Sequence, residues 1–175
     1  SLRLVAGDPL RPFARDREGM KVSEGYGIVI LERAKGAADR GARPLAQIAG
    51  FGESADAHHL TQPHPEGEGA ARAMQQAIAS SGLRPGEINL LVAHATGTPD
   101  NDASEYAAMS RVFGEALPQI PCVAFKSHLG HTLGGAGAVE LILAAMAMQR
   151  QMIPPCANVT SDELQYPGLN LVTGT

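Results

Sequence analysis

The stretch INLLVAHATGTPDNDASE, residues 88–105, decides the fold. Its first six residues, apolar but for Asn89, read as a short strand. The run leads straight into His94. After a Gly/Thr/Pro loop, Asp102 with Glu105 three residues on is a capping pattern, with Asp102 the cap of a helix reaching about Phe113. The same order recurs downstream. CVAF (122–125) is a strand that ends on Lys126, and a helix from about Gly135 to Gln151 is closed off by Pro154 and Pro155.

Working outward, YGIVIL (26–31) reads as a strand buried on both faces, followed by a short helix over 33–40 that Gly41 stops. LAQIAGF (45–51) reads as a second strand. A helix over about 69–81 places Ala70, Ala73, Met74, Ala77 and Ile78 on one face and stops at Gly82. That face is small, so the helix sits close to a sheet. Residues 1–26, charge-dense at RPFARDREG, read as an exposed loop, and 169–172 as a last short strand. Strands alternating with helices over short connections give an α/β fold with a mixed, largely parallel sheet and flanking helices. Ligands in such folds collect at the carboxyl ends of strands, where His94 and Lys126 stand.

Composition narrows the function classes. A length of 175 residues suits one domain. With aromatics at 4% and no Trp, the core must be built from Ala, Leu, Ile, Val and Met packed with many Gly. The net charge of −4 comes without blocks of like charge, which offers nucleic acid or an anionic membrane nothing obvious to hold. Cys122 and Cys156 are far apart and form no CxxC, so they read as ordinary structural thiols of a reducing compartment, with cytoplasm the default. No run approaches the roughly 20 apolar residues of a membrane span. The opening SLRLVAGDP, without Met, basic stretch or apolar core, reads as a cut end rather than a targeting signal.

The densest chemistry lies in KSHLGHTLGGAGA (126–138), where three classes compete. A phosphate cradle fails in detail, because the nearest match to GxGxxG ends in Glu140 where the third Gly is needed, and a P-loop would place its Lys last. For a metal, His128 and His131 make a pair, but no acid or thiol follows at ligand spacing, and Lys126 opposes a second cation. His58, His59 and His64 read as solvated surface residues of a Pro/Glu/Gly loop. An acid/base or oxyanion site uses everything: Lys126, His131, a Gly-rich helix entry, and His94 from the other strand end. Two neutral imidazoles can donate N–H to a developing oxyanion while the Lys tunes them. The class lacks a nucleophile.

Three stretches, VAHATGTPDNDASE (92–105), FKSHLGHTLGGAGAVE (125–140) and RPFARDREGMKVSEGYGIVILE (11–32), together resemble β-ketoacyl-acyl-carrier-protein synthases of the chain-elongating type. GFGESADAHHLTQP (50–63) is similar to the family's segment in the same place. The resemblance implies a thiolase-like fold, of which this chain is mostly one of the two related α/β halves. Residues 1–32 would be a loop and last strand of the N-terminal half, and 33–175 most of the C-terminal half without its final strands.

The implied reaction is a decarboxylative Claisen condensation of malonyl-acyl-carrier protein with an acyl-enzyme thioester, in fatty acid or polyketide biosynthesis. By position, His94 and His131 are the paired catalytic histidines and Lys126 the active-site lysine. Thr96, Thr98 and Thr61 would contact the phosphopantetheine arm. Glu140, Asp102 and Glu105 are supporting residues. No metal and no cofactor is expected, since substrates ride on the 4′-phosphopantetheine of acyl carrier protein. The resemblance further implies a homodimer and an N-terminal half packed on this chain, with the nucleophilic Cys in that other half. The 175 residues alone would then be inactive. Ala95 stands where the family has Gly. The alternative is a non-catalytic subunit of the chain-length-factor type, whose members usually lose parts of the His/Lys set kept here.

Overall fold

The computed structural model describes Val5 and residues 9–174. Its centre is a small parallel sheet. Strand β1 (Leu91–Val92) pairs in parallel with β2 (Cys122–Val123), Leu91 opposite Cys122 and Val92 opposite Val123. On the other side of β2, Cys122 bridges Leu171, and Cys156 bridges Thr173, both in parallel. The expected strand at 169–172 is therefore in the sheet, as single bridges rather than a ladder. Cys122 and Val123 are fully buried because both faces of the sheet are covered.

Among the described residues there are five helices: α1 (Ala34–Asp39), α2 (Glu68–Ser81), α3 (Pro99–Phe113), the single turn α4 (Lys126–Leu129) and α5 (Ala136–Arg150). Gly82 in the left-handed conformation ends α2, as its sequence position requires, and Gln151 does the same for α5. Met109 and Phe113 on α3 pack with Val123, Phe125, Leu169 and Leu171 into the core cluster.

Four expectations are corrected. Asp102 is not the cap of α3: the helix begins at Pro99 with Thr98 as N-cap, which puts Asp102 inside its first turns. Pro at the first helical position is favourable because its missing N–H would have had no partner there. The charged segment after residue 9 is not an exposed loop. Leu10, Phe13 and Ala14 are buried, Phe13 completely, because Arg17 finds a buried partner rather than solvent. Segments 26–31 and 45–51 form no ladder and are not buried on both faces; Tyr26 is 84% and Ile30 90% exposed.

These two segments are each covered on one side only. A Cβ at Gly27 would stand 3.1 Å from the Ala138 carbonyl carbon, so 26–31 lies on α5. Cβ atoms at Gly50 and Gly52 would stand 2.1 and 2.0 Å from the carbonyl oxygens of Ala77 and Ala73, so the other segment lies on the backbone of α2. The continuous apolar run at 26–31 signals burial on both faces, but among the described residues no second layer covers it.

Candidate active site

The site forms where the two strands end, with β1 running through Ala93 into His94. Ala93 N–H is held by the Val123 carbonyl at 2.9 Å, which fixes where the chain leaves the sheet. The loop 94–98 then turns sharply: Ala95 has φ of 42° and Gly97 of 77°. Left-handed backbone is costly for any residue with a Cβ, which explains why a glycine suits position 95 and why Ala95 needs support. That support comes from α3. Glu105 accepts the amides of His94 and Ala95 at 2.6 and 2.7 Å, and Asp102 accepts that of Gly97 at 3.1 Å. Helical side chains tilt toward the N-terminus, so two carboxylates three residues apart on one face can both reach the loop ahead of the helix.

Lys126 follows β2 and opens α4, its side chain only 2% exposed. The turn carrying it is tied down by Ala124 N–H to Cys156 Sγ at 3.1 Å and by Ser127 Oγ to the Ala124 carbonyl at 2.7 Å. Its Nζ pairs with Glu140 of α5 and lies 3.2 Å from His94 Nδ1. A buried ammonium without a counter-ion would be expensive, and Glu140 supplies it.

His131 is positioned by a segment within 11–32 to which the sequence assigned no contact with the site. Residues 21–23 run beside it: His131 N–H donates to the Lys21 carbonyl at 2.7 Å and Ser23 N–H to the His131 carbonyl at 3.0 Å. Gly130 permits this approach, since a Cβ there would meet Ser23 Cβ at 2.8 Å on backbone whose φ is already 76°. The imidazoles of His94 and His131 lie 5.2 Å apart, nearly perpendicular.

The hydrogen bonds decide the tautomers. An ammonium can only donate, so Lys126 occupies His94 Nδ1 as an acceptor. Leu133 N–H occupies His131 Nδ1 in the same way at 3.1 Å. Each neutral ring is left with Nε2–H as its donor. Removal of water around the ring, then the charges of Lys126 and His131, lower the His94 pKa to about 4. Loss of solvent and Lys126 also lower that of His131. Both rings are therefore neutral at pH 7: two imidazole N–H donors and a buried ammonium lie close together, the kinds of group that stabilise a developing oxyanion.

Of the other sequence candidates, Thr96 and Thr98 are buried and their hydroxyls bond each other at 2.8 Å. Thr61 lies exposed on the loop after Phe51, its amide held by His59 Nδ1. His128 faces away, bonded to the Pro155 carbonyl, and among the described residues no three His, Cys, Asp or Glu side chains form a metal set. Burial raises the thiol pKa of Cys122 well above its ordinary value and that of Cys156 to about 11, so neither is an activated nucleophile. A cleft of about 300 Å³ opens beside His94, lined by Asp56, Met74, Asn101, Ser104 and Glu105. Among the described residues no helix is long and apolar enough to cross a membrane.

Known proteins share both the sequence and the fold. Residues 45–160 match the family model described as the β-ketoacyl synthase C-terminal domain. Nodulation protein E of Rhizobium leguminosarum bv. trifolii is 43% identical over 94% of this chain and 41% of its own length. The 3-oxoacyl-[acyl-carrier-protein] synthase 2 of Staphylococcus aureus is 39% identical over 87% of this chain and 38% of its own. Among solved structures, the ishigamide ketosynthase/chain length factor superposes with a TM-score of 0.90 at 38% identity, over 98% of this chain and 41% of that one. The chain thus spans about two fifths of the length of the curated relatives it matches. Its architecture is an α/β part of the thiolase-like fold, and the chain belongs to the β-ketoacyl synthase family through that family's C-terminal domain.

Proposed function

We propose that this chain supplies the decarboxylation site of a 3-oxoacyl-acyl-carrier-protein synthase. The observation that carries the reading is the paired tautomer state of His94 and His131, each with Nδ1 occupied and Nε2–H free to donate, beside the Lys126–Glu140 pair. A malonyl thioester bound there would place its carbonyl oxygen between the two Nε2–H groups. As the bond to the carboxylate breaks and carbon dioxide leaves, the electron pair moves onto the thioester enolate, whose oxygen the two donors stabilise. The carbanion then attacks an acyl thioester on a Cys outside these residues, forming the new carbon–carbon bond and releasing that thiolate. Acyl transfer and condensation are completed only with that nucleophile, so these 175 residues alone are inactive.

Thr96, Thr98 and Thr61 are the proposed contacts of the phosphopantetheine arm, and acyl carrier protein the partner that brings it; no further cofactor is needed. Residues 1–32 close the N-terminal half and 33–175 form most of the C-terminal half. The rest of the enzyme, as a cytoplasmic homodimer, covers the exposed apolar side of segments 26–31 and 45–51. A non-catalytic chain-length-factor role is the second reading, favoured by the likeness to a ketosynthase/chain length factor structure. Retention of His94, Lys126 and His131 together weighs against it.

The test is release of carbon dioxide from malonyl-acyl-carrier protein by the full-length synthase. Loss of an oxyanion donor costs roughly 10²–10³-fold, so His94→Ala and His131→Ala should each fall by that order. Unchanged release in both variants would sink the decarboxylation reading.

A further inference from the structure

We propose that Arg17 is a positioning residue for the His94 loop, acting through Asp102; the inference rests on the decarboxylation reading above. Arg17 and Asp102 are buried side by side, their side chains 4% and 0% exposed, with Arg17 Nε 3.5 Å from Asp102 Oδ2. Both Nη groups are held by hydrogen bonds, whereas Nε faces Asp102 as an ion pair with no hydrogen bond of its own. Nη1 donates to the Ala14 carbonyl at 2.8 Å and to Gln165 Oε1, and Nη2 to the Pro99 carbonyl at 3.2 Å and Tyr166 Oη at 3.1 Å. Its carbon lies 5.5 Å from the centre of the Tyr166 ring, which stacks on Tyr106 of α3 at 4.4 Å.

What this cation holds in place is Asp102. Oδ2 takes the Phe13 amide at 2.8 Å, and Oδ1 takes the Gly97 amide at 3.1 Å and Asn101 Nδ2 at 3.2 Å. Both oxygens must therefore stay acceptors. Burial alone pushes the Asp102 carboxyl toward its neutral form, and Arg17 is among the groups that oppose this. Without the guanidinium, a proton on Asp102 would put an O–H where an amide now donates, and the Gly97 end of the loop would come loose. Glu105 would still hold the His94 and Ala95 amides. A five-residue loop with two left-handed positions, anchored at one end only, would let the His94 ring drift relative to His131. Lys can replace Arg here only in part: its charge can face Asp102, but a single ammonium cannot span Asp102, Pro99, Gln165 and Tyr166 at once.

The experiment uses the full-length synthase with Arg17→Met, Arg17→Lys, Asp102→Asn and the Arg17→Met/Asp102→Asn double variant. Misplacing a reacting group by about 1 Å costs on the order of 10²-fold in rate. Arg17→Met should therefore lower kcat for malonyl decarboxylation by about 10- to 100-fold with KM changed less than about 3-fold. Arg17→Lys should recover part of the loss. Hydrogen exchange should rise in the peptide covering 94–98 while that covering 122–123 stays protected.

If the two residues act as one unit, the double variant should be no worse than the worse single one. Losses that multiply, or a folded Arg17→Met with normal kcat and unchanged exchange at 94–98, would overturn the proposal. Should Arg17→Met not fold, Gln165→Met and Tyr166→Phe each remove one acceptor; a kcat unmoved by both, in folded protein, also overturns it. His94→Ala serves as the separating control. If that variant decarboxylates normally the site reading fails, whereas the exchange at 94–98 still judges the Arg17–Asp102 link.

Discussion

Replacing Glu105 by Gln should reshape the pH dependence of stability as well as its level. The carboxylate receives two amides, yet burial outweighs them and, with Asp102 nearby, raises its pKa from 4.5 to about 7. A group whose folded pKa lies above its unfolded value contributes stability that is fully present below about 4.5 and lost as pH rises through about 7. A difference of about 2.5 units corresponds to roughly 3 kcal/mol. Gln is close in shape to the neutral acid but cannot titrate. The stability gap between wild type and Glu105→Gln should therefore be largest at pH 4.5 and shrink by roughly 3 kcal/mol by pH 8. Urea unfolding followed by circular dichroism at half-unit pH steps measures it, with the midpoint difference multiplied by the slope m. A gap that stays constant or widens with pH would refute the argument, and would mean that the two amides outweigh burial and keep Glu105 ionised.

Two further outcomes follow from the packing and the electrostatics. Gly52→Ala should destabilise by about 1–3 kcal/mol, the usual range for overpacking, because its Cβ would lie 2.0 Å from the Ala73 carbonyl oxygen, whereas Gly86→Ala, with nothing within 4 Å, should stay near wild type in melting temperature. Lys126→Met removes one of the charges that depress the His94 pKa. The His94 ring should then titrate above 4 but still below 6.5 in an NMR pH series, since burial is the larger cause, and an unmoved titration would show that the Lys126 charge does not set its state.

The four groups that meet in the site were legible because the strand ends are. Apolar runs that stop on His94 and Lys126, and a Gly-rich entry to α5 that carries His131 and Glu140, point to one end of a parallel sheet. What escaped was tertiary. Asp102 and Glu105 carry the spacing of a helix cap; the resemblance marks them as supporting residues, and the earlier start of α3 at Pro99 shows how they reach the loop. The Arg/Asp density around residues 11–17 resembles a solvated loop because no local pattern reveals a partner 85 residues away. The 21–23 segment that positions His131 contributes only backbone groups, which have no signature in side-chain sequence. Segment 26–31 reads as fully buried because hydrophobic patterning records what a surface needs and not which chain covers it.

Helix α3 ties two kinds of requirement together. At one end its carboxylates grip the amides of the His94 loop, and at the other Met109 and Phe113 are wedged in the core beneath the sheet. A rod held at both ends has one register, so a change of volume near Phe113 that slides it along its axis would be felt at His94, more than two helical turns away. Sequence drift in that part of the core is thus answerable to chemistry as well as to packing. Attempts to stabilise the domain by refilling its interior should spare Met109 and Phe113 and the face of α2 that packs on α3.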